Sequence, residues 1–396
     1  MKNSKKIVII SPFFFPEPIS TGKYNTDLAL ALSKKGHKVT VLCFHPFYPN
    51  WKIKLSNLKL NGIEIIRGGK LLKFTNSNLI RRVVLEFYFA FFVVKNFNHF
   101  KNNVDIVIPV FPPSFAFYLA LKLIKKDSKK NGIIHDLQEI YSANKKNLIY
   151  KILSFFINKV EKKCYQNCNN LIFLSNEMKE VAKNKYFLEE SKLIVQYPFI
   201  SIKKNKTKKL GQILKSDKIN IVYSGALGEK QNPQKLYEFF NVASKKIEKS
   251  EFHFFSSGEE FEKLKKLNNN QKIKFHNLVH EDNLYELYNR SAVQIVPQKE
   301  ETSLGSLPSK LPNLLASKCK VLLITDKNSE LDIFFRKNNL NYPATCWDIN
   351  YLVQHLKSLL NENIDFKHQN KVSEDNFSLD SLVKKYYNKK YIFVSK

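Results

Sequence analysis

Short apolar runs rich in β-forming residues alternate with longer stretches of helical periodicity along the first half of the chain. Six of these runs predict strands: KIVIIS, HKVTVLCF, DIVIPVF, GIIHDL, NLIFLS and KLIVQYP. The periodicity between them predicts helices over residues 22–35, 79–100, 114–126, 147–168 and 176–184. Strands that alternate with helices are typical of a parallel sheet covered by helices on both faces. Residues 1–200 therefore predict a doubly wound α/β domain.

The alternation stops at residues 201–218 and then restarts. The segment SIKKNKTKKLGQILKSDK is charged and lacks apolar periodicity, which predicts a linker. Beyond it, the runs INIVYSG, EFHFFSSG, KIKFHNLV, AVQIVPQ and KVLLITD alternate with helical stretches. Residues 219–375 therefore predict a second doubly wound domain. The aromatic and basic tail at 376–396 predicts a last helix that packs back on the first domain.

Composition supports two folded domains and limits the classes of binding partner. The chain has 396 residues, 43% of them hydrophobic, which is enough apolar material for two cores. Its net charge of +30 would suit nucleic acid, but the lysines are scattered and no nucleic-acid-binding motif accompanies them. The five cysteines are odd in number and form no CxxC pair, so we expect neither a disulfide framework nor a zinc site. We expect no nucleic-acid partner.

Two apolar runs are candidates for membrane spans. The run at 83–94 is shorter than the roughly 20 residues that a spanning helix needs, and Glu86 interrupts it. The run at 105–126 is long enough, but Pro112 and Pro113 divide it into a strand, a turn and a helix. We therefore expect no integral membrane topology.

The loop after the first strand lacks the glycines of a dinucleotide-binding domain. Such a domain carries GxGxxG at this point, whereas here a proline-rich loop leads to Gly22 alone. This absence argues against a dehydrogenase. Gly22 stands at a predicted helix N-terminus, where free backbone N–H groups can bind an anion, although a simple turn explains it as well.

Longer segments resemble a known family. The segment FFFPEPISTGKYNTDLALALSKKGHKVTVLCFHPFYPNW resembles the opening of bacterial glycosyltransferase family 4, in particular the branch of colanic-acid and O-antigen fucosamine transferases. DIVIPVFPPSFAFYLA and IIHDLQEIY resemble later elements of that branch. The resemblance covers nearly the whole chain in order. It implies the GT-B fold, in which two Rossmann-like domains face a central cleft, the first for the acceptor and the second for a nucleotide-sugar.

His135 and Asp136 close a predicted strand of the first domain, at the edge where open α/β sheets bind ligands. Some family members use a histidine in this region to contact the donor. His135 could polarise or protonate a substrate, and Asp136 could orient the acceptor hydroxyl. A structural role for His135 stays open, and His45 is a weaker candidate on the acceptor side.

YSGALGEKQNPQKL resembles the first donor-binding turn of the family. A loop that accepts phosphates needs small residues for close approach and a cation for the charge, which Gly225, Gly228 and Lys230 supply. Many family members carry an arginine directly after the first glycine, where this chain has Ala226. The resemblance therefore implies that Lys230 carries a larger share of the contact with the diphosphate charge.

SLPSKLPNLLASKCKVLLITD resembles the segment that holds the phosphates and ribose of the donor. Lys310 and Asn313 are three residues apart, so a helix would carry both on one face. The family usually has two glutamates here, and Gly305 and Asn313 occupy those positions. Gly258 and Val279 end the turns FSSG and FHNLV, which resemble those that line the nucleoside.

No aspartate lies two residues from another, so the DxD metal-diphosphate motif of the other large glycosyltransferase fold is absent from the sequence. We therefore expect side-chain cations and helix termini to stabilise the leaving diphosphate, with no metal and no cofactor besides the donor substrate.

The resemblance implies a retaining transferase that moves a hexosyl or N-acetylaminosugar residue from a UDP-sugar to a lipid-linked saccharide. The expected pathway is assembly of an O-antigen, a capsule or an exopolysaccharide. Two alternatives stay open: a sugar-nucleotide epimerase of the same fold, and a degenerate protein that binds a nucleotide-sugar without catalysis.

A lipid-linked acceptor would bring the enzyme to the inner face of the cytoplasmic membrane. Residues 79–101 combine a short aromatic run with flanking Arg81, Arg82, Lys95 and Lys101, a pattern that suits a helix lying in the membrane interface. The same pattern also suits a helix buried against the first sheet. We expect a cytoplasmic protein attached peripherally to that membrane.

Overall fold

The computed structural model describes residues 4–380 and 383, apart from 18, 49, 76, 99, 101–102, 138–147, 203, 205–206 and 303–306. The chain divides into two compact units, Met1–Tyr197 with Leu379–Lys396, and Pro198–Ser378. Each unit is described separately below.

The first unit contains a sheet of seven parallel strands. They are β1 (Lys6–Ile10), β2 (Lys38–Phe44), β3 (Ile63–Gly68), β4 (Ile106–Phe111), β5 (Lys129–Ile134), β6 (Asn170–Phe173) and β7 (Leu193–Val195). Their order is β3-β2-β1-β4-β5-β6-β7, with every neighbouring pair parallel. The order reverses between β1 and β4, which opens a crevice at the carboxyl ends of these two strands.

Five described helices accompany this sheet. They are α1 (Ser20–Lys34), α2 (Asn78–Phe97), α3 (Phe115–Ala120), α4 (Leu148–Gln166) and α5 (Asn176–Tyr186). Every residue of β4 is buried, as expected for a central parallel strand with a helical layer on each face. The carboxylate of Glu86 in α2 accepts hydrogen bonds from the backbone N–H groups of Ser114 and Phe115. This contact ties α2 to the start of α3.

The second unit repeats the design with five parallel strands. They are β8 (Ile219–Ser224), β9 (Ser250–Phe255), β10 (Ile273–His276), β11 (Val293–Pro297) and β12 (Lys320–Ile324), in the order β10-β9-β8-β11-β12. Its helices are α6 (Pro233–Lys246), α7 (Glu259–Leu267), α8 (Leu284–Arg290), α9 (Leu311–Leu315), α10 (Glu330–Lys337), α11 (Ile349–Asn361) and α12 (Phe366–Phe377). Here the strand order reverses between β8 and β11.

These two sheets confirm the predicted fold class of two doubly wound α/β units. The helix predicted over 114–126 is too long, because α3 ends at Ala120 and the chain turns back to enter β5 at Lys129. The pattern also missed β3, a strand at the edge of its sheet in which only Ile63 is fully buried. A half-exposed edge strand carries a weak apolar signal.

The segment predicted as a linker, 201–218, packs on the second unit where the structure describes it. The carboxylate of Glu286 in α8 accepts hydrogen bonds from the Thr207 hydroxyl and from the backbone N–H groups of Lys209 and Leu210. The predicted last helix, 376–396, lies mostly outside the described residues, and α12 ends at Phe377 within the second unit. Among the described residues, no helix is both long enough and apolar enough to cross a bilayer.

Candidate active site

A cavity of about 460 Å³ opens in the second unit at the carboxyl ends of its strands. Its described lining comes from the loops after β8, β10 and β11, from α8 and from residues 308–310 directly before α9. Ligands of open α/β sheets bind where the strand order reverses, and this cavity lies at the reversal between β8 and β11. Its volume falls within the usual range for small-molecule sites.

Lys310 joins the two strands at this reversal. Its Nζ donates hydrogen bonds to the carbonyl oxygens of Ser224, the last residue of β8, at 2.9 Å and of Ile295, in the middle of β11, at 3.0 Å. The same Nζ lies 4.5 Å from the ring centre of Tyr223, a cation–π distance. Burial lowers the pKa of Lys310 to about 7. Carbonyl dipoles and an aromatic face hold this ammonium without an anion, so an anionic ligand at the cavity would gain a preorganised partner.

Lys230 lines the same cavity from the turn after β8. Gly225 has φ +129°, in a region that favours glycine, and a Cβ there would meet no heavy atom within 4 Å. The backbone N–H of Gly228 donates to the side chain of Gln231 at 2.9 Å, which closes a short 3₁₀ turn around Lys230. The backbone N–H of Lys299 donates to the Lys230 carbonyl at 2.8 Å and fixes this turn beside the end of β11.

The cavity has one cationic side and one apolar side. Lys230 and Lys310 are its only charged lining residues in the part of the chain that the structure describes, so no carboxylate there opposes an anion. Phe255, Leu278 and Val279 line it after β9 and β10. The Phe255 ring is backed by His276 at 4.5 Å between centroids in a stacked arrangement. This pairing of surfaces suits a ligand with a phosphate group at one end and a flat ring at the other.

Asn313 points elsewhere. Its Oδ1 accepts hydrogen bonds from the backbone N–H groups of Ser201 at 2.8 Å and Ile202 at 3.0 Å, and Asn313 is absent from the described cavity lining. The expectation that Lys310 and Asn313 act from one face is therefore not met, because the amide is engaged by the segment at the start of this unit. Gly258 begins α7 with φ +109° and also lies outside the described lining, and Gly305 lies outside the described residues.

The candidates of the first unit lie near its own strand reversal. Gly22 is buried in the first turn of α1, and a Cβ there would come within 3.1 Å of the Glu17 carbonyl oxygen. Close packing against Glu17 therefore explains this glycine. No anion contact is needed to account for it.

His135 follows β5, as predicted, and Asp136 comes next in a half-buried position. The His135 ring stands edge-on to Tyr24 with centroids 4.8 Å apart, and its buried Nε2 has no hydrogen-bond partner among the described residues. Burial lowers the pKa of His135 to about 3, so the ring is neutral near pH 7. A neutral ring can donate or accept a hydrogen bond, but it cannot supply the proton of a general acid. His45 accepts a hydrogen bond from the Ser56 backbone N–H at 3.1 Å, which is a structural contact.

Sequence reasoning missed several lining residues, among them Tyr223, Tyr288 and Gln298. Tyr223 and Tyr288 lie within an apolar strand and a helix, where nothing in the pattern separates them from core residues. Gln298 directly follows β11, and a polar residue at the carboxyl end of a strand is a signal that could have been used. Its backbone carbonyl accepts a hydrogen bond from the Trp347 ring at 2.9 Å, and its side chain accepts one from Thr325. Among the described residues, no group of three or more His, Cys, Asp or Glu side chains could hold a metal ion.

Comparisons with known proteins agree with this architecture. Residues 21–204 match the family model of Glycosyltransferase Family 4. Over 356 residues the chain is 22% identical to the putative colanic acid biosynthesis glycosyl transferase WcaI of Escherichia coli K12, across 82% of this chain and 84% of that protein.

Two solved structures share the fold across nearly the full chain. WaaG, a glycosyltransferase involved in lipopolysaccharide biosynthesis, superposes with a TM-score of 0.65 at 13% identity and covers 96% of this chain and 99% of its own. The catalytic domain of starch synthase IV from Arabidopsis thaliana, bound to ADP and acarbose, gives a TM-score of 0.69 at 12% identity and covers 98% and 99%. At these identities the likeness establishes the fold alone.

Proposed function

We propose that the chain is a family 4 glycosyltransferase that transfers a hexosyl or N-acetylaminosugar residue from a UDP-sugar to a lipid-linked saccharide during assembly of a surface polysaccharide. The observation that carries this proposal is the cavity at the β8/β11 reversal, with Lys310 hydrogen-bonded to both strands. A nucleoside diphosphate matches its two sides.

The cationic side of the cavity receives the diphosphate in this proposal. Lys310 and Lys230 approach from separate segments, so together they can contact both phosphates. The nucleobase then occupies the side lined by Phe255 and Val279. The carbonyl oxygens of Ser224 and Ile295 accept two of the three N–H groups of the Lys310 ammonium, so the third can donate a charge-assisted hydrogen bond to a ligand phosphate.

Retention of configuration, as the family implies, requires no enzyme nucleophile. The bond from the anomeric carbon to the diphosphate oxygen breaks while the acceptor oxygen bonds to the same face, and the acceptor proton moves to a donor phosphate oxygen. Negative charge grows on the diphosphate during this step. Lys310 and Lys230 stabilise that charge, and preorganised donors of this kind contribute several kcal/mol, about 3–4 each in measured cases. Neutral His135 would serve as a hydrogen-bonding group toward the substrates.

The relatives support the proposed acceptor and location. WcaI is described as a colanic acid biosynthesis transferase and WaaG as acting in lipopolysaccharide biosynthesis. Saccharides of this kind are assembled on lipids, so we assign this chain a lipid-linked acceptor and a place at the inner surface of the cytoplasmic membrane. The net charge of +30 would favour attachment to that anionic surface.

The test starts with nucleotide binding. UDP at about 100 times its dissociation constant should stabilise the native state by roughly 2.7 kcal/mol, which appears as a higher melting temperature. GDP and ADP serve as competitors for base preference. No shift with any nucleoside diphosphate would overturn the donor site.

The reaction is then measured with UDP-sugars and membrane extracts that carry lipid-linked saccharides, with products identified by mass spectrometry. We expect sugar transfer to lipid, and we expect it to persist in EDTA. Free sugar or an epimer released without acceptor would instead identify an epimerase. Nucleotide binding without any product would identify a degenerate binding protein.

A further inference from the structure

The helix α2 is apolar on two sides. One side is buried in the core of the first unit through Leu85, Phe89, Val93 and Phe97. The other side exposes Phe87, Tyr88 and Phe91, and the side chain of Phe91 is 72% exposed. Packing against the sheet therefore accounts for only half of the apolar character of this helix.

The exposed aromatics of α2 continue across two further helices. Phe115 of α3 lies 5.1 Å from Phe87 of α2 and 6.4 Å from Phe156 of α4 between ring centroids, and it stacks on Tyr118. On α4, Phe155 is also 72% exposed. We name this surface the aromatic face; it consists of Phe87, Tyr88, Phe91, Phe115, Tyr118, Ile152, Phe155 and Phe156. Soluble monomers rarely expose so many large apolar side chains together.

The charges on these helices are all positive where they are exposed. Exposed basic residues on α2 and α4 and just after α3 are Arg82, Lys95, Lys122, Lys159 and Lys163. The acidic residues of α2 and α4 are both turned inward. Glu86 caps the start of α3, and buried Glu161 accepts hydrogen bonds from the hydroxyls of Tyr165 and Tyr186. The aromatic face therefore combines apolar rings with uncompensated positive charge.

This charge pattern selects among possible occupants. A second copy of the chain docked through the same face about a two-fold axis would bring like charges together. An anionic bilayer offers an interface in which aromatic rings are favoured and a negative surface that attracts the lysines. We propose that the aromatic face of α2, α3 and α4 docks the protein onto a membrane that contains anionic lipid. The proposed lipid-linked acceptor supplies the biological reason for this docking, so the inference rests on the proposed function. The experiments below do not depend on that acceptor.

The first experiment measures co-sedimentation of the full chain with vesicles of phosphatidylcholine and phosphatidylglycerol in equal parts. Phe91→Ser combined with Phe155→Ser should weaken binding at least about tenfold at both low and high salt, because the apolar contact is lost. The matched control is Tyr342→Ser in the second unit, whose side chain is 74% exposed and which should bind like the wild type.

The second experiment separates the charge contribution. Lys159→Gln combined with Lys163→Gln should weaken binding by roughly an order of magnitude at low salt and much less at high salt. Lys266→Gln combined with Lys337→Gln removes the same charge from exposed positions in the second unit and should change little. Equal losses in both pairs would mean that net charge alone drives attachment, which would overturn the assignment of this face.

A tryptophan reporter tests insertion directly. Phe91→Trp should shift its emission to the blue on vesicle addition and be quenched by brominated lipid, whereas Tyr342→Trp should not. Vesicle binding without any Phe91→Trp response would place the contact elsewhere. A dimer in solution that Phe91→Ser dissociates, or an acidic protein that competes for the face while vesicles do not bind, would also overturn the proposal.

The outcome is independent of the donor site. Vesicle binding through the aromatic face without sugar transfer would refute the proposed reaction and leave the docking surface intact. Sugar transfer to a detergent-dispersed acceptor by a protein that ignores vesicles would refute the docking surface and leave the reaction intact.

Discussion

Both sheets reverse their strand order, but the side chains at the two reversals differ in kind. In the first unit the loop after β1 is packed with buried Phe14, and the Asn25 amide donates to the Ser11 hydroxyl and the Phe13 carbonyl. In the second unit Lys310 bridges the two strands β8 and β11 beside an open cavity. The same topology thus carries an edge packed with buried side chains in one unit and an open edge with two lysines in the other. The fold supplies the edge, and the side chains decide what it can bind.

The largest expected effect comes from Lys310→Met, which keeps the stem and removes the charge. Turnover should fall on the order of 10²- to 10³-fold, because a preorganised donor to the developing diphosphate charge is lost. The matched control is Lys320→Met. The Nζ of Lys320 donates to the carbonyls of Leu359, Leu360 and Glu362, but it lies at the amino end of β12. This control should lower the melting temperature and leave donor affinity unchanged. Wild-type turnover in Lys310→Met would contradict the assignment of a diphosphate-binding role to the strand reversal of the second unit.

Lys230→Ala should have a smaller effect, because this side chain is exposed and solvent screens its charge. We expect donor affinity to fall about tenfold, measured by calorimetry with UDP. Lys245→Ala removes an exposed lysine from the last turn of α6 and serves as the control. Equal affinities in the two variants would show that Lys230 is one surface lysine among many.

Donor affinity should depend on pH through Lys310. Only its protonated form holds the diphosphate, so affinity should be nearly constant below its pKa of about 7. Above that pH it should fall by up to about tenfold for each pH unit. Lys310→Arg stays protonated and should flatten the titration. A wild-type affinity that holds steady well above neutral pH would mean that this ammonium does not contact the ligand.

His135 should make the stability of the protein depend on pH. Its pKa is about 3 in the folded protein and about 6.5 when unfolded, so the unfolded state binds more protons between these values. The free energy of unfolding should therefore decrease as pH falls below about 6.5, by roughly 1 kcal/mol per pH unit from this group. The free energy of unfolding, measured by denaturant titration at several pH values, should change less steeply with pH in His135→Gln than in the wild type. The control is His280→Gln, which replaces an exposed histidine and should show the same pH dependence as the wild type.

The smallest effect on activity is expected for Asn313→Ala. Loss of its Oδ1 removes the acceptor of two backbone hydrogen bonds, so the free energy of unfolding should fall by about 1–3 kcal/mol. Donor affinity should stay at the wild-type value. A large loss of affinity with normal stability would restore the ribose contact that the sequence resemblance implies.

The alternating pattern was sufficient for the fold class, because each strand and helix buries its own apolar face and so carries its period in the sequence. Lys230, Lys310 and Val279 could also be assigned to one cavity from motif resemblance, and all three line it. Asn313 could not be assigned correctly. Its three-residue spacing from Lys310 predicts that both side chains lie on one face of a helix. The hydrogen-bond partners of Asn313, at residues 201–202, come from a distant part of the chain that the spacing does not reveal.

The helix α2 shows most clearly what the sequence determines and what only the tertiary structure determines. Its sequence alone determined an amphipathic aromatic segment with basic flanks, and it suited a buried helix and an interfacial helix equally. Tertiary structure decided that one side of this helix is buried in the core and that the opposite side exposes Phe87, Tyr88 and Phe91. The pKa of Lys310 has the same origin, since burial between two strands and Tyr223 lowers it. Local sequence determines periodicity and charge, whereas neighbours brought together by folding determine which groups are desolvated and which remain exposed.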